Sequence, residues 1–175
     1  MLNGNTVESV DNFVYLGSMQ SSDRYCRPDT KRRIGLASLV MSSLRTIWTD
    51  KRLSLSIKLR VYQTLILSVL LYVSETWTVL AADAGSLESF HVKCQRHILG
   101  IRWHDRIRNT EITERTGLPP LLDQITRRCN SLFGHVARLG NDTPAHQALR
   151  RQIDVSLGWL PDRTWKRPPG RPRSK

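Results

Sequence analysis

Apolar positions along this chain change their spacing near residue 25, from a short-range alternation to a helical recurrence. Thr6, Val7, Glu8, Ser9 and Val10 loosely alternate after the turn signal Asn3-Gly4-Asn5. Phe13, Val14, Tyr15 and Leu16 then add aromatic and β-branched residues before Gly17-Ser18 ends the run. A β-hairpin over residues 7–17 is expected. Two strands alone are marginal in water, so this hairpin calls for a sheet that the chain itself does not supply.

Helices are expected from there on. Asp29 or Thr30 is placed to cap one whose apolar positions Ile34, Ala37, Val40, Met41 and Leu44 recur at helical spacing. Ser54 or Ser56 opens a second, running through Leu59, Tyr62, Ile66, Val69 and Leu70 to about Trp77. Within it, residues 61–74 carry no charge. That stretch is shorter than the ~20 residues a bilayer span needs and reads as a buried helix. Asp83 or Ser86 caps a third, with Leu87, Phe90, Cys94 and Ile98 on one side, Lys93 and Arg96 pointing elsewhere, and Gly100 at its end. Asn109 begins a short helix that Gly117 ends. Pro119 or Pro120 starts a longer one through Leu122, Ile125, Cys129, Leu132 and Phe133 to Arg138. Thr143-Pro144 opens another, to about Gln152. Five of the last seventeen residues are Pro or Gly, which predicts an extended tail. The fold class is therefore mainly α: an N-terminal β-hairpin, a helical bundle and an extended basic tail. The expected boundaries are 1–22, 23–108, 109–157 and 158–175.

Charge sharpens this outline. Lys and Arg exceed Asp and Glu by 27 to 15, a net +12, and the surplus falls in blocks. Residues 23–60 carry +7, residues 61–92 carry −3, residues 93–138 carry +5 and residues 151–175 carry +5. An apolar, slightly acidic helix is thus flanked by basic surfaces, the distribution expected of a polyanion binder. A merely soluble basic protein has the same totals, and charge alone does not choose between RNA and DNA. Three scattered cysteines without a CxxC pair point to an intracellular, reducing compartment. No basic-then-apolar leader opens the sequence.

Few residues of the sequence stand in patterns that carry catalytic chemistry. The ten aspartates are isolated from one another, so no Asp-Asp pair is present to hold the two magnesium ions of nucleotidyl transfer. No GxxxxGK(S/T) loop or GxSxG elbow occurs. His91, Cys94 and His97 share a helix at a spacing of three, but Cys94 lies on the apolar stripe, so core packing is favoured over a metal site. His135 is read as bonding a backbone carbonyl at a helix junction. Trp77 and Trp103 are assigned to the core, while Trp159 and Trp165 in the tail are free to meet a partner. The tail segment from Lys166 to Arg173 contains Gly170-Arg171-Pro172, the core of an AT-hook, with Pro169 where that motif has arginine. A basic linker or a nuclear import signal explains the same residues.

Five segments in order carry a resemblance. They are Asp11-Asn12-Phe13-Val14-Tyr15-Leu16-Gly17-Ser18; Leu70-Leu71-Tyr72 with Ser74-Glu75-Thr76-Trp77; Phe90-His91 to Cys94, Arg96 and Ile98-Leu99-Gly100-Ile101 with Trp103 and Asp105; Phe133-Gly134-His135-Val136-Ala137-Arg138; and the Gly-Arg-Pro tail. Together they resemble the reverse transcriptase of non-LTR (LINE-type) retrotransposons over nearly the whole chain. Val73 stands where that family often has glycine. The resemblance implies that Phe13, Tyr15, Leu16 and Gly17 belong to a primer-grip-like hairpin at the end of the palm. The helices that follow are implied to form a thumb-like bundle and a connecting region. The fingers and the palm carboxylates with their Tyr-X-Asp-Asp motif are not in this sequence. The implied chain is a non-catalytic, C-terminal fragment with no cofactor, magnesium belonging to the palm.

Its expected partners are nucleic acid (RNA, DNA or hybrid, met through the backbone) and the fingers and palm of a polymerase, in the nucleus and without a membrane. The candidate contacts are Lys31, Arg32 and Arg33; Lys51, Arg52, Lys58 and Arg60; Lys93 and Arg96; Arg102, Arg106 and Arg108; and Lys166, Arg167, Arg171 and Arg173 in the tail. A helical protein-interaction module and a non-functional element remnant are the competing readings.

Overall fold

The computed structural model describes residues 10–22 and 25–158. The strand expected at residues 6–10 therefore falls almost wholly outside it, and the tail from Trp159 lies outside it too. The chain divides into two compact units, residues 1–129 and 130–175.

The hairpin pairs β1 (Asn12–Tyr15) with β2 (Ser18–Ser21), Asn12 opposite Ser21 and Tyr15 opposite Ser18. This corrects the expectation that Gly17-Ser18 ends the hairpin; Leu16-Gly17 is its turn. Both residues have positive φ, 47° and 78°, the combination of a two-residue type I′ turn whose twist matches the strands. Every residue of β1 is exposed, so the strand buries neither face.

Helix α1 (Arg27–Ser43) starts before its expected caps, with Cys26 at the N-cap and Pro28 in its first turn. A short α2 (Arg45–Thr49) follows a break at Leu44. Ser54 opens α3 (Leu55–Val61) and its hydroxyl accepts from the Ile57 amide, as its residue type favours. This helix continues through a π turn (Tyr62–Ile66) into α4 (Leu67–Leu70). It stops short of Trp77 because Val73 turns left-handed, at φ 62°, ahead of a 3-10 turn (Ser74–Thr76). Helix α5 (Ala81–Leu99) begins two residues before Asp83 and ends at Gly100, whose φ of 70° gives the left-handed stop. A 3-10 turn (Trp103–Asp105) leads to α6 (Asn109–Thr116), stopped by Gly117, and α7 (Leu121–Ala137) follows.

One core holds the first unit together. Tyr62, Ile66, Leu70, Leu71, Leu87 and Leu121 are almost fully buried, with Ala37, Trp48, Trp77, Cys94 and Ile125 around them. Only one face of the uncharged stretch is buried, since Leu65 is 46% exposed. Ile112 on α6 and Leu121 and Ile125 on α7 are also buried, so burial continues past residue 108.

The second unit contains the end of α7 and α8 (Pro144–Ser156), with Thr143 at the N-cap and proline in the first turn. At their junction His146 Nδ1 lies 3.3 Å from the Val136 carbonyl oxygen. No helix among the described residues is long and apolar enough to cross a membrane.

Candidate nucleic-acid interface

The basic residues fall into separate clusters, and some of them are already engaged. At the hairpin tip Arg32 and Arg33 both donate to the Gly17 carbonyl oxygen. Arg33 is only 6% exposed, with its guanidinium 4.3 Å from the Tyr72 ring centroid and its Nε 3.7 Å from Asp29. The expectation that Arg33 meets a phosphate is therefore corrected: it fastens the hairpin turn to α1. Tyr72 adds a hydroxyl bond to the Leu16 carbonyl oxygen at 2.8 Å. Lys31 is exposed beside them. Phe13, Tyr15 and Leu16 are 53%, 61% and 74% exposed, so the primer-grip-like residues stand outside the core while Gly17 is held by its carbonyl.

Asp29 is the polar hub behind this turn. Rather than capping α1, it accepts from the Met19 amide at 2.9 Å, the Ser18 hydroxyl at 3.3 Å and the Trp77 indole at 3.1 Å. Asp83, the other expected cap, is also buried and pairs with Arg27 at 3.0 Å.

A second cluster forms where α2 turns into α3. Lys58 donates to the Trp48 carbonyl oxygen at 2.8 Å, which brings the first turn of α3 against the end of α2. Lys51 and Arg52 are exposed on the connecting turn, and Arg60 is exposed further along α3, two residues past Lys58 and so on another side of the helix. Arg52 holds both oxygens of Asp50, at 3.1 and 3.0 Å, and these bonds keep the Asp50 carboxyl below its ordinary pKa. Three cations against one carboxylate leave this turn positive. Arg60 and Lys51 have no ion pair among the described residues.

On α5, Lys93 is exposed while Arg96 is half-buried and donates to the Ile107 carbonyl oxygen at 2.5 Å and to Asn109 Oδ1 at 2.9 Å. Arg96 thus fixes the segment between α5 and α6, on which Arg102, Arg106 and Arg108 are all exposed. Arg102 is additionally the N-cap of the 3-10 turn, its amide bonded to Asp105 at 2.6 Å. Lys166, Arg167, Arg171 and Arg173 lie outside the described residues.

Arg45 is a further candidate cation that the linear sequence does not single out. It starts α2 and faces the same cleft as Lys93 and Arg96. Its only signal was its position as a single cation just past a helix break; nothing in linear charge counting ties it to α5.

The histidine–cysteine group on α5 splits between core and surface. Cys94 is 3% exposed, and burial pushes its thiol up to about 12, a protonated side chain at neutral pH. The Tyr62 hydroxyl and His91 Nδ1 share a buried bond of 2.8 Å, while His97 is exposed. Burial lowers the His91 pKa against the opposing pull of Glu88 and the Pro119 carbonyl. Among the described residues no group of three or more His, Cys, Asp or Glu is arranged to hold a metal ion.

Fold and charge define a class: a basic, mainly helical protein with a hairpin fastened to its first helix. Within that class the chain is similar to an uncharacterized transposon-derived protein of Caenorhabditis elegans, 24% identical over 169 residues. The match covers 94% of this chain and 57% of that protein. No family model and no solved structure matches the chain.

Proposed function

We propose that this chain is a non-catalytic nucleic-acid-binding element of transposon origin, equivalent to the thumb and connecting region of a non-LTR reverse transcriptase, that holds a template–primer duplex by its backbone. The carrying observation is the concentration of Lys51, Arg52 and Lys58 about the α2–α3 turn, with a single partnering carboxylate and with Arg60 exposed further along α3. Cations on a helical surface read phosphates, which repeat with the duplex whatever its sequence. Similarity to a transposon-derived protein supports the same reading. The palm and its magnesium ions belong to the partner polymerase, and the nucleus is the compartment in which such an element works.

Salt titrations of binding to RNA, DNA and hybrid duplexes of unrelated sequence test this. Affinity is expected to fall linearly on a log–log plot against salt, with little dependence on sequence. Salt-independent binding, or none, overturns the reading. Primer extension with template, nucleotides and magnesium is expected to give no product, because the chain carries no paired palm carboxylates.

A further inference from the structure

Between α1–α2 and α5 lies a cleft of about 850 Å³. Its apolar lining comes from Met41, Phe90, Ile101 and Ile107. Arg45, Lys93 and His97 are exposed at its edge, and no acidic residue lines it. Arg96 lies in the wall, and its two bonds across to residues 107 and 109 hold the segment bearing Ile101 and Ile107 in place. The cleft is therefore propped open by a side chain already committed to the fold, with Arg45 and Lys93 outside any ion pair among the described residues.

We infer that this cleft takes an unpaired nucleotide, its base against the apolar lining and its phosphates against Arg45 and Lys93. Two observations select that occupant. An apolar floor with Arg45 and Lys93 at its edge and no acidic residue complements a ligand that is flat and apolar in one part and anionic in the next, which is the repeat of a single strand. A duplex offers its charge without its base faces, so it has no use for the floor. The size is ample too, since pockets of roughly 300–1,000 Å³ enclose ligands of nucleotide scale. This inference rests on the proposed nucleic-acid function and adds to it: the backbone-reading surface holds the duplex, and the cleft holds the base beyond its end.

The test compares a blunt 16-base-pair duplex with the same duplex carrying a four-thymidine overhang, by fluorescence anisotropy with the full chain. The wild type is expected to bind the overhang form about tenfold more tightly, the order of one stacked base. Ser42→Trp, placed at an exposed helical position on the cleft wall, is expected to remove that gain while leaving blunt-duplex affinity unchanged. Arg45→Ala is expected to reduce the gain several-fold, and circular dichroism checks that both variants are folded. Blunt and overhang forms bound equally by the wild type, or a gain that survives Ser42→Trp, overturns the cleft assignment and leaves the duplex reading standing. Binding of the overhang form alone keeps the cleft and removes the duplex reading; binding of neither removes both. A wild-type dimer that Ser42→Trp disperses, with no overhang gain, gives the cleft to a second copy and also overturns the assignment.

Discussion

Trp77 donates its indole N–H to the carboxylate of Asp29 across 3.1 Å, and both side chains are buried. Forty-eight residues separate them, so this bond closes the helical unit around the start of α1. The same carboxylate receives the Met19 amide, which makes one buried group answerable for both the hairpin and the segment after α4. Asp29→Ala leaves these donors without an acceptor, and the expected loss is about 3 kcal/mol in urea denaturation. Asp29→Asn is also expected to destabilise, because its amide nitrogen meets a donor at either Trp77 or Met19. A loss below about 1 kcal/mol for the alanine variant would show that water replaces the carboxylate.

Leu16, Val73 and Arg106 are the three described non-glycine residues with left-handed backbone, and substitution can relieve strain at the first two. Leu16 sits at φ 47° with 74% of its surface exposed, and Val73, a β-branched residue, sits at φ 62°. Left-handed backbone costs a residue with a side chain roughly 1–2 kcal/mol. Leu16→Asn, which supplies the Asn-Gly pair favoured in this turn, is expected to gain about 1 kcal/mol since little burial is lost. Val73→Gly gains less because Val73 is half-buried. Thermal melts of the two variants measure this; a lower midpoint for Leu16→Asn would mean that Leu16 is held by contacts outside the hairpin.

Much of this was legible in the sequence, and the failures have a common cause. Helical spacing and cap residues located the regions of α1 and α3 through α8 but not the short α2, and Gly100 and Gly117 marked the ends of α5 and α6 because left-handed stops favour glycine. Asp29 and Asp83 were misread as caps because a residue type suited to helix starts can also serve distant donors, and that choice depends on tertiary packing. The stop at Val73 went unread since a valine gives no local sign of left-handed backbone; only the resemblance marked that position as unusual. Among candidate contacts, Lys51 and Arg60 are exposed, whereas Arg33 is buried and shares the Gly17 carbonyl oxygen with Arg32, a tertiary contact that the run Lys31-Arg32-Arg33 does not signal. Arg45 joins α5 only once the chain is folded.

Acid should weaken the fold through the Tyr62–His91 pair. Burial lowers the His91 pKa, so the unfolded chain binds its proton more readily than the folded one. The stability contributed by neutral His91 is therefore complete above about pH 6.5, the ordinary histidine value, and is lost as pH falls below it toward the folded value. Urea midpoints measured between pH 7.5 and 5 are expected to fall in the wild type and to flatten in His91→Leu. Tyr62→Phe, which strands the Nδ1 bond, is expected to cost about 1–2 kcal/mol at neutral pH. An unchanged acid slope in His91→Leu would assign the pH dependence to other groups.

The duplex-binding surface is tested by replacing Lys51, Arg52, Lys58 and Arg60 together with alanine. Each lost phosphate contact removes about one unit from the salt slope for a duplex, so the fourfold variant is expected to flatten it by as many as about four units. Affinity should drop equally for unrelated sequences, because these side chains meet phosphates and not base edges. The structure qualifies the count: Arg52 must leave Asp50, and Lys58 must leave the Trp48 carbonyl, before either gives a full contact. Among the described residues Lys51 and Arg60 have no such competitor, so Lys51→Ala with Arg60→Ala is expected to produce at least half of the fourfold effect. Deletion of residues 159–175, which hold the cations of the basic tail, runs in parallel and separates the two surfaces. A tail deletion that abolishes binding, with a wild-type slope in the fourfold variant, would assign the duplex to the tail and leave the α2–α3 turn a solvated face.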